Sequence, residues 1–397
     1  MNKKLTAILA LVLALMLCVL SSCGSNDKPA ETKQDANVIR IGIFEPASGD
    51  SGAGGKQETL GVQYANKVQP TIMIGDTEYT IELVTADNGS SADKAPSAAS
   101  ELVSKGVSVV LGSYGSGVSI AGSPKFAEAG IPAIGISCTN PQVTEGNTHY
   151  FRICFLDPFQ GTVLANYAFN VLGARKAYCL AELGNDYDQG LSYYFQEEFK
   201  RLGGEIMADS FPTGTADFTS YLTNAQNFEA GVFFAPCSIA YDTQIIDQAS
   251  GMGVAFPLMG GDTWDSNKVA EAAKGTNLNI LVSTFYQEGG NPEFDNGIKA
   301  WMNENPEAMT NNGGNDMVAA VTAMGYDAYF TALEAIKLAG SADSKAVNEA
   351  LWKVQYTGVS GAIAFNETGD AIRDTAFIKS VDTTTGGWTF VCEQKVD

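Results

Sequence analysis

Ser113, Ser116 and Ser119, and then Ser137, Cys138 and Thr139, are the polar side chains best placed to meet a ligand. The first three follow a β-branched run, Val107 to Leu111, that stops at Gly112. They lead into a helix from about Gly117 to Ala129, closed by Gly130 and Pro132. The second three follow another apolar run, Ile131 to Ile136. In a parallel sheet the carboxyl ends of neighbouring strands open on one crevice. A helix N-terminus there offers unpaired N–H groups to an anion. Hydroxyls and N–H groups together suit a carboxylate or phosphate; the same hydroxyls could equally serve as helix caps.

Catalytic constellations are missing. The single histidine, His149, opens a separate strand and reads as structural. There is no GxSxG, no CxxC and no metal-ligand spacing. The Gly-rich loop 49–55 fits neither phosphate-binding pattern. The expectation is therefore a binding protein rather than an enzyme, with no metal and no cofactor.

The chain begins with Asn2-Lys3-Lys4, an apolar stretch from Leu5 to Leu20, and Leu20-Ser21-Ser22-Cys23. This is the pattern of a secretory signal over residues 1–22 ending in a bacterial lipobox. The apolar stretch is about 16 residues, where a spanning helix needs ~20. Cys23 becomes the lipidated N-terminus, and residues 23–37 form a polar tether. The expected place is outside the cytoplasm, anchored to the bacterial cell membrane by lipid. Net charge is −21, and it becomes −23 once Lys3 and Lys4 leave with the signal. That excess of acid argues against nucleic acid as a partner. Five cysteines remain beyond Cys23 (138, 154, 179, 237 and 392), an odd number, so at least one is free or pairs between chains.

Beyond the tether, strands and helices alternate. Strands are expected at 38–44, 79–86, 107–111, 131–136 and 148–155. A second series follows at 176–181, 205–211, 230–235, 256–259 and 278–284. The alternation occurs twice, so the fold class is α/β with two parallel-sheet lobes. Helices at 292–303, 316–338 and 345–353 have no strands between them. They need a sheet to cover, and packing them on the first lobe is the simplest solution.

The chain resembles the type I periplasmic binding proteins of the branched-chain amino-acid, or leucine-binding, group. The likeness spans 38–397. It rests on IGIFEPASG at 41–49, LGSYGSGVSIAGSPKFAEAGIP at 111–132, SCTNPQVT at 137–144, YDQGL at 187–191, PLMGGDTWDSN at 257–267 and GVSGAIAFNETGD at 358–370. The resemblance implies two doubly wound lobes joined by three crossovers, near 156–158, 284–286 and 356–360. The N-terminal lobe is then 38–157 with 285–356, and the C-terminal lobe 158–284 with 357–397. It implies the substrate-binding subunit of an ABC importer, working with permease subunits. The ligand would be a small amino acid, branched-chain or otherwise apolar, with an amide, urea-like or aromatic carboxylate solute as the alternative.

The resemblance also assigns roles. Ser116 would bind the α-carboxylate, with Ser137 and Thr139 contributing from the next loop. Asp262 would pair with the α-ammonium, and Tyr187 would close over the ligand. Asp262 has the competing role of a helix cap, and Tyr187 that of a surface residue opening its helix. Two positions depart from the family pattern. Gly54 replaces an aromatic wall, which implies a wider side-chain pocket. Cys237-Ser238 replace a second aromatic, and Trp264, Phe285 or Tyr286 could refill that volume. The family's first-lobe disulfide is also missing.

Overall fold

Each run of buried β-branched and aromatic residues becomes a strand, and each amphipathic stretch a helix laid on a sheet. The computed structural model describes residues 37–395. The expected signal, the lipidated Cys23 and all of the tether except Asn37 lie outside them.

The first sheet holds β1 (Val38–Glu45), β2 (Thr71–Ile74), β3 (Thr77–Asp87), β4 (Val109–Leu111), β5 (Ala133–Gly135) and β6 (Tyr150–Arg152), in the order β2-β3-β1-β4-β5-β6. β1, β4, β5 and β6 are parallel, with Ile41 opposite Val109 and Ala133 opposite Tyr150. Their crossovers are α1 (Gly52–Val68), α2 (Ala95–Ser104) and α3 (Ser116–Ala129). β2 is not anticipated from the sequence. It makes a two-residue hairpin with β3 through Gly75 and Asp76, and Gly75 takes the positive φ, 58°, that such a turn needs.

The chain then runs through α4 (Asp157–Asn166), β7 (Lys176–Glu182), α5 (Asp186–Arg201), β8 (Glu205–Phe211), α6 (Thr219–Asn227), β9 (Val232–Phe234), α7 (Ile239–Met252), β10 (Leu258–Gly260), α8 (Asn267–Ala273) and β11 (Ile280–Thr284). After these come α9 (Pro292–Glu304), α10 (Pro306–Asn311), α11 (Ala320–Ala339) and α12 (Ser344–Leu351). The tail is β12 (Gln355–Gly358), β13 (Gly361–Ala364), β14 (Thr375–Asp382) and β15 (Gly387–Lys395). The second sheet is ordered β15-β14-β11-β10-β9-β7-β8. Only β14 and β15 depart from parallel pairing in it.

α11 returns to the first lobe and lies on α1 at backbone contact. A Cβ at Gly61 would fall 2.0 Å from the Thr322 carbonyl oxygen, and one at Gly325 2.2 Å from that of Glu58. Only glycine permits this approach. It buries the face of α1 that carries Gln57 and Glu58.

The tail corrects one boundary. Residues 357–371, expected in the C-terminal lobe, are stitched to β6 of the first. β12 and β13 pair only with each other. Phe365 and Trp352 pack edge-on against Phe151, at 5.1 and 4.6 Å. The Arg152 N–H donates to the Gly369 carbonyl (3.0 Å), and the Ala371 N–H to that of Arg152 (2.9 Å). The cause is a buried charge. Arg152 has no exposed surface, and Asp370 is its carboxylate partner, at 2.5 Å. The chain joins the second sheet only at Thr375.

Candidate functional site

The cleft between the lobes is built from loops at the carboxyl ends of parallel strands. β1, β4 and β5 supply the loops on one side, and β7, β9 and β10 those on the other. A cavity of about 480 Å³ opens there, with Tyr114, Ser116, Glu182, Tyr187, Ser238 and Thr263 in its walls. Hydrogen bonds join the two sides: Asn140 Nδ2 donates to the Asp186 carbonyl (2.7 Å), the Tyr114 hydroxyl to that of Thr263 (3.5 Å), and Asn267 Nδ2 to that of Asn312 (2.8 Å).

Ser116 is the first residue of α3, behind an N-cap at Gly115 that offers no side-chain cap. Its Oγ accepts the Asn140 N–H at 3.3 Å. Ser116 therefore ties the β4 loop to the β5 loop while facing the cavity. Ser113 and Ser119 are structural. Ser119 Oγ accepts the Ser113 N–H (3.3 Å) and donates to the Gly115 carbonyl (2.9 Å). Ser137 and Thr139 lie deeper, at 2% and 0% exposure, behind the cavity wall. Ser137 donates to Glu58. The Thr139 carbonyl accepts the Asp157 N–H (3.0 Å), and burial pushes the Asp157 carboxyl up to about 8.

On the other side, Asn185 caps α5. Its Oδ1 accepts the N–H groups of Tyr187 and Asp188 and fixes Tyr187 in the first turn. The Tyr187 hydroxyl donates to Asp262 Oδ1 at 2.9 Å, and Gln160 Nε2 donates to the same oxygen at 2.9 Å. Burial raises Asp262 to about 6, while Gln160 and Tyr187 pull it back toward the ionised form. Asp262 is not a helix cap. Ser266 caps α8, accepting the Lys268 N–H. Ser116 and Tyr187 thus share one cavity, with Asp262 directly behind Tyr187.

Trp264 sits elsewhere. It has no exposed surface, belongs to the core of the second lobe and packs its indole on Gly260. It does not line the cavity. Phe285 packs on Phe155 at 4.2 Å, and Tyr286 donates to Asp295 at 2.8 Å, so neither refills the space near Cys237-Ser238. The space opposite Gly54 is also not wider, because the Tyr114 ring packs against that glycine.

Four residues of the cleft were not singled out from the sequence: Glu45, Glu58, Tyr114 and Gln160. Glu45 Oε2 accepts the Tyr114 N–H at 2.7 Å. Glu45 and Glu58 are adjacent and at most 1% exposed. Burial raises both carboxyls, Glu45 well above its ordinary value and Glu58 to about 7. Glu45 ends a strand in Glu-Pro-Ala-Ser-Gly, a visible signal. Glu58 follows Lys56 and Gln57 on a helix, a pattern that looks solvated until α11 covers it.

A raised carboxyl favours the folded state while it is protonated. The contribution of Glu58 is complete below its ordinary 4.5 and is lost as pH rises through about 7. Asp157 acts in the same direction. Urea denaturation of the unliganded protein should therefore show stability falling between pH 5 and about 7. Glu58→Gln should flatten that fall, and an unchanged slope would remove Glu58 as its source.

The sequence of residues 38–386 matches the family model for periplasmic binding proteins. The chain belongs to the periplasmic binding protein family. Its relatives are substrate-binding proteins rather than enzymes. A Leu/Ile/Val-binding protein homolog 1 of Brucella abortus is 28% identical over 339 residues, covering 84% of this chain and 87% of that one. The branched-chain amino acid transporter substrate-binding protein LivJ of Streptococcus pneumoniae, solved with isoleucine, superposes with a TM-score of 0.78. It is 27% identical, over 90% of this chain and 99% of that one. A solute-binding protein of an ABC transporter from Rhodopseudomonas palustris, solved with 3,4-dihydroxybenzoic acid, has a TM-score of 0.76. At 19% identity, over 90% of this chain and 98% of that one, it shows the shared fold alone. No helix among the described residues is long and apolar enough to cross a membrane. The five cysteines are all unpaired, four of them buried.

Proposed function

We propose that this periplasmic binding protein captures a free α-amino acid outside the cytoplasm and hands it to the permease of an ABC importer. The observation that carries the reading is the opposition across the cleft. On one side, Ser116 and the free N–H groups of α3 suit a carboxylate. On the other, Tyr187 lines the cavity with Asp262 directly behind it, held by Tyr187 and Gln160, and Asp262 is the acid we assign to the ammonium. No lysine, arginine or histidine lines the cavity among the described residues. Acids line it instead: Asp50, Asp93, Glu182, Asp186 and Asp188. An aromatic carboxylate brings only negative charge to such a place, whereas an amino acid brings a cation as well. The leucine and isoleucine binders among the relatives support a branched-chain or other apolar side chain.

The lobes, taken as 38–157 with 285–371 and 158–284 with 372–397, would swing together on the ligand. A solute drives such closure only through contacts that the open form lacks. Mass spectrometry of freshly purified, denatured protein should find a free amino acid. Recovery of only an aromatic acid, or of a chemically converted product, would overturn the reading.

Anchoring through lipid on Cys23 is part of the same proposal. Two or more acyl chains give a stable hold where one is marginal, at about 0.8 kcal/mol per buried CH₂. Cys23→Ala should release the protein from the membrane fraction after signal removal. Retention of the variant there would show that something else holds it.

A further inference from the structure

Tyr114 stands in the middle of the cleft, held from three directions. Its N–H donates to Glu45 Oε2 at 2.7 Å. Its ring lies on the bare backbone of Gly54 in α1, where a Cβ would come within 2.4 Å of ring carbons Cε2 and Cζ. Its hydroxyl reaches the Thr263 carbonyl of the opposite lobe. The residue is 6% exposed, and it shares the cavity wall with Ser116, Tyr187 and Thr263. A ligand in this cavity meets the Tyr114 ring in its wall. Any residue larger than glycine at position 54 would push the ring off α1.

We propose that Tyr114 is the specificity-determining residue of the cleft. Its ring takes the volume that an aromatic ligand side chain would need, so the cleft admits only aliphatic-sized side chains, and Gly54 is what allows the ring to sit there. This rests on the amino-acid reading above, and Tyr114 acts on the ligand's side chain rather than on its charged groups. In a tight pocket, a misfit of one methylene is worth about 10–200-fold, so removal of a whole ring has a readable effect.

The test compares valine with phenylalanine by calorimetry on the full mature chain. The wild-type protein should favour valine. Tyr114→Ala should move the valine-to-phenylalanine affinity ratio toward phenylalanine by roughly tenfold or more. Tyr114→Phe keeps the ring and should keep the wild-type ratio. A purely structural role for Tyr114 would weaken both ligands alike, so a ratio within about twofold of wild type in Tyr114→Ala overturns the proposal. If the wild-type protein binds neither amino acid, the amino-acid reading fails. Binding of benzoate or 3,4-dihydroxybenzoate by the wild-type protein would overturn the Tyr114 proposal as well, because an aromatic ring would then fit beside Tyr114.

Discussion

Asp262→Ala should weaken amino-acid binding by roughly thirtyfold or more. Removal of one partner from a desolvated charge pair costs about 2–5 kcal/mol, and each 1.4 kcal/mol is about a decade in affinity. The residue is 2% exposed, so water cannot replace the lost partner. The variant should still fold, because Tyr187 retains a contact with Thr263 and Gln160 one with Ser283. The pH dependence gives a second signature. Asp262 must be ionised to meet an ammonium, and burial places its ionisation at about 6. Affinity should therefore rise as pH climbs through about 6 and then level off. In Asp262→Asn that rise should disappear. Calorimetry of a leucine-like amino acid beside its N-acetyl and amide derivatives separates the two ends of the ligand. Equal affinity for the free and the N-acetylated form would end the ammonium role of Asp262.

Arg152→Ala should be the most destabilising single change near the site, at about 3–5 kcal/mol, the usual cost of leaving a buried charge without its partner. The guanidinium joins four groups. Nε meets Asp370 at 2.5 Å, Nη1 donates to the carbonyls of Cys138 (2.9 Å) and Asn140 (2.5 Å), and Nη2 donates to Thr144 Oγ1 (3.1 Å). It thereby clamps the loop that carries Ser137 and Thr139 and pins 366–371 to the first lobe. Urea denaturation should show the loss. Replacing both charges, as Arg152→Met with Asp370→Leu, should recover a large part of it, since no orphan carboxylate then remains. A double variant no more stable than Arg152→Ala would mean that the contacts to the loop carbonyls, not the ion pair, hold this region.

The sequence by itself determined the alternating α/β order, the strand ends that carry Ser116, Ser137 and Thr139, and the helix stop at Gly130. These are local properties. A run of β-branched residues or a glycine stop acts within a few residues of itself. Motifs that keep their order along the chain also pointed to Tyr187 and Asp262, both in the second lobe, where the Tyr187 hydroxyl donates to Asp262. The tertiary structure alone decided the rest. Glu58 looks like a solvated helix residue until α11 buries it, and its carboxyl then becomes hard to ionise. Trp264 looks like a pocket wall until Gly260 receives its indole in the core. Residues 357–371 follow Arg152 rather than the second sheet, because Asp370 is the carboxylate that pairs with that buried charge. Gly54 suggests an open pocket until Tyr114, 60 residues away in the chain, fills it. In each case a partner distant in sequence sets the environment, and burial and pairing, not residue type, fix what a polar or aromatic side chain does.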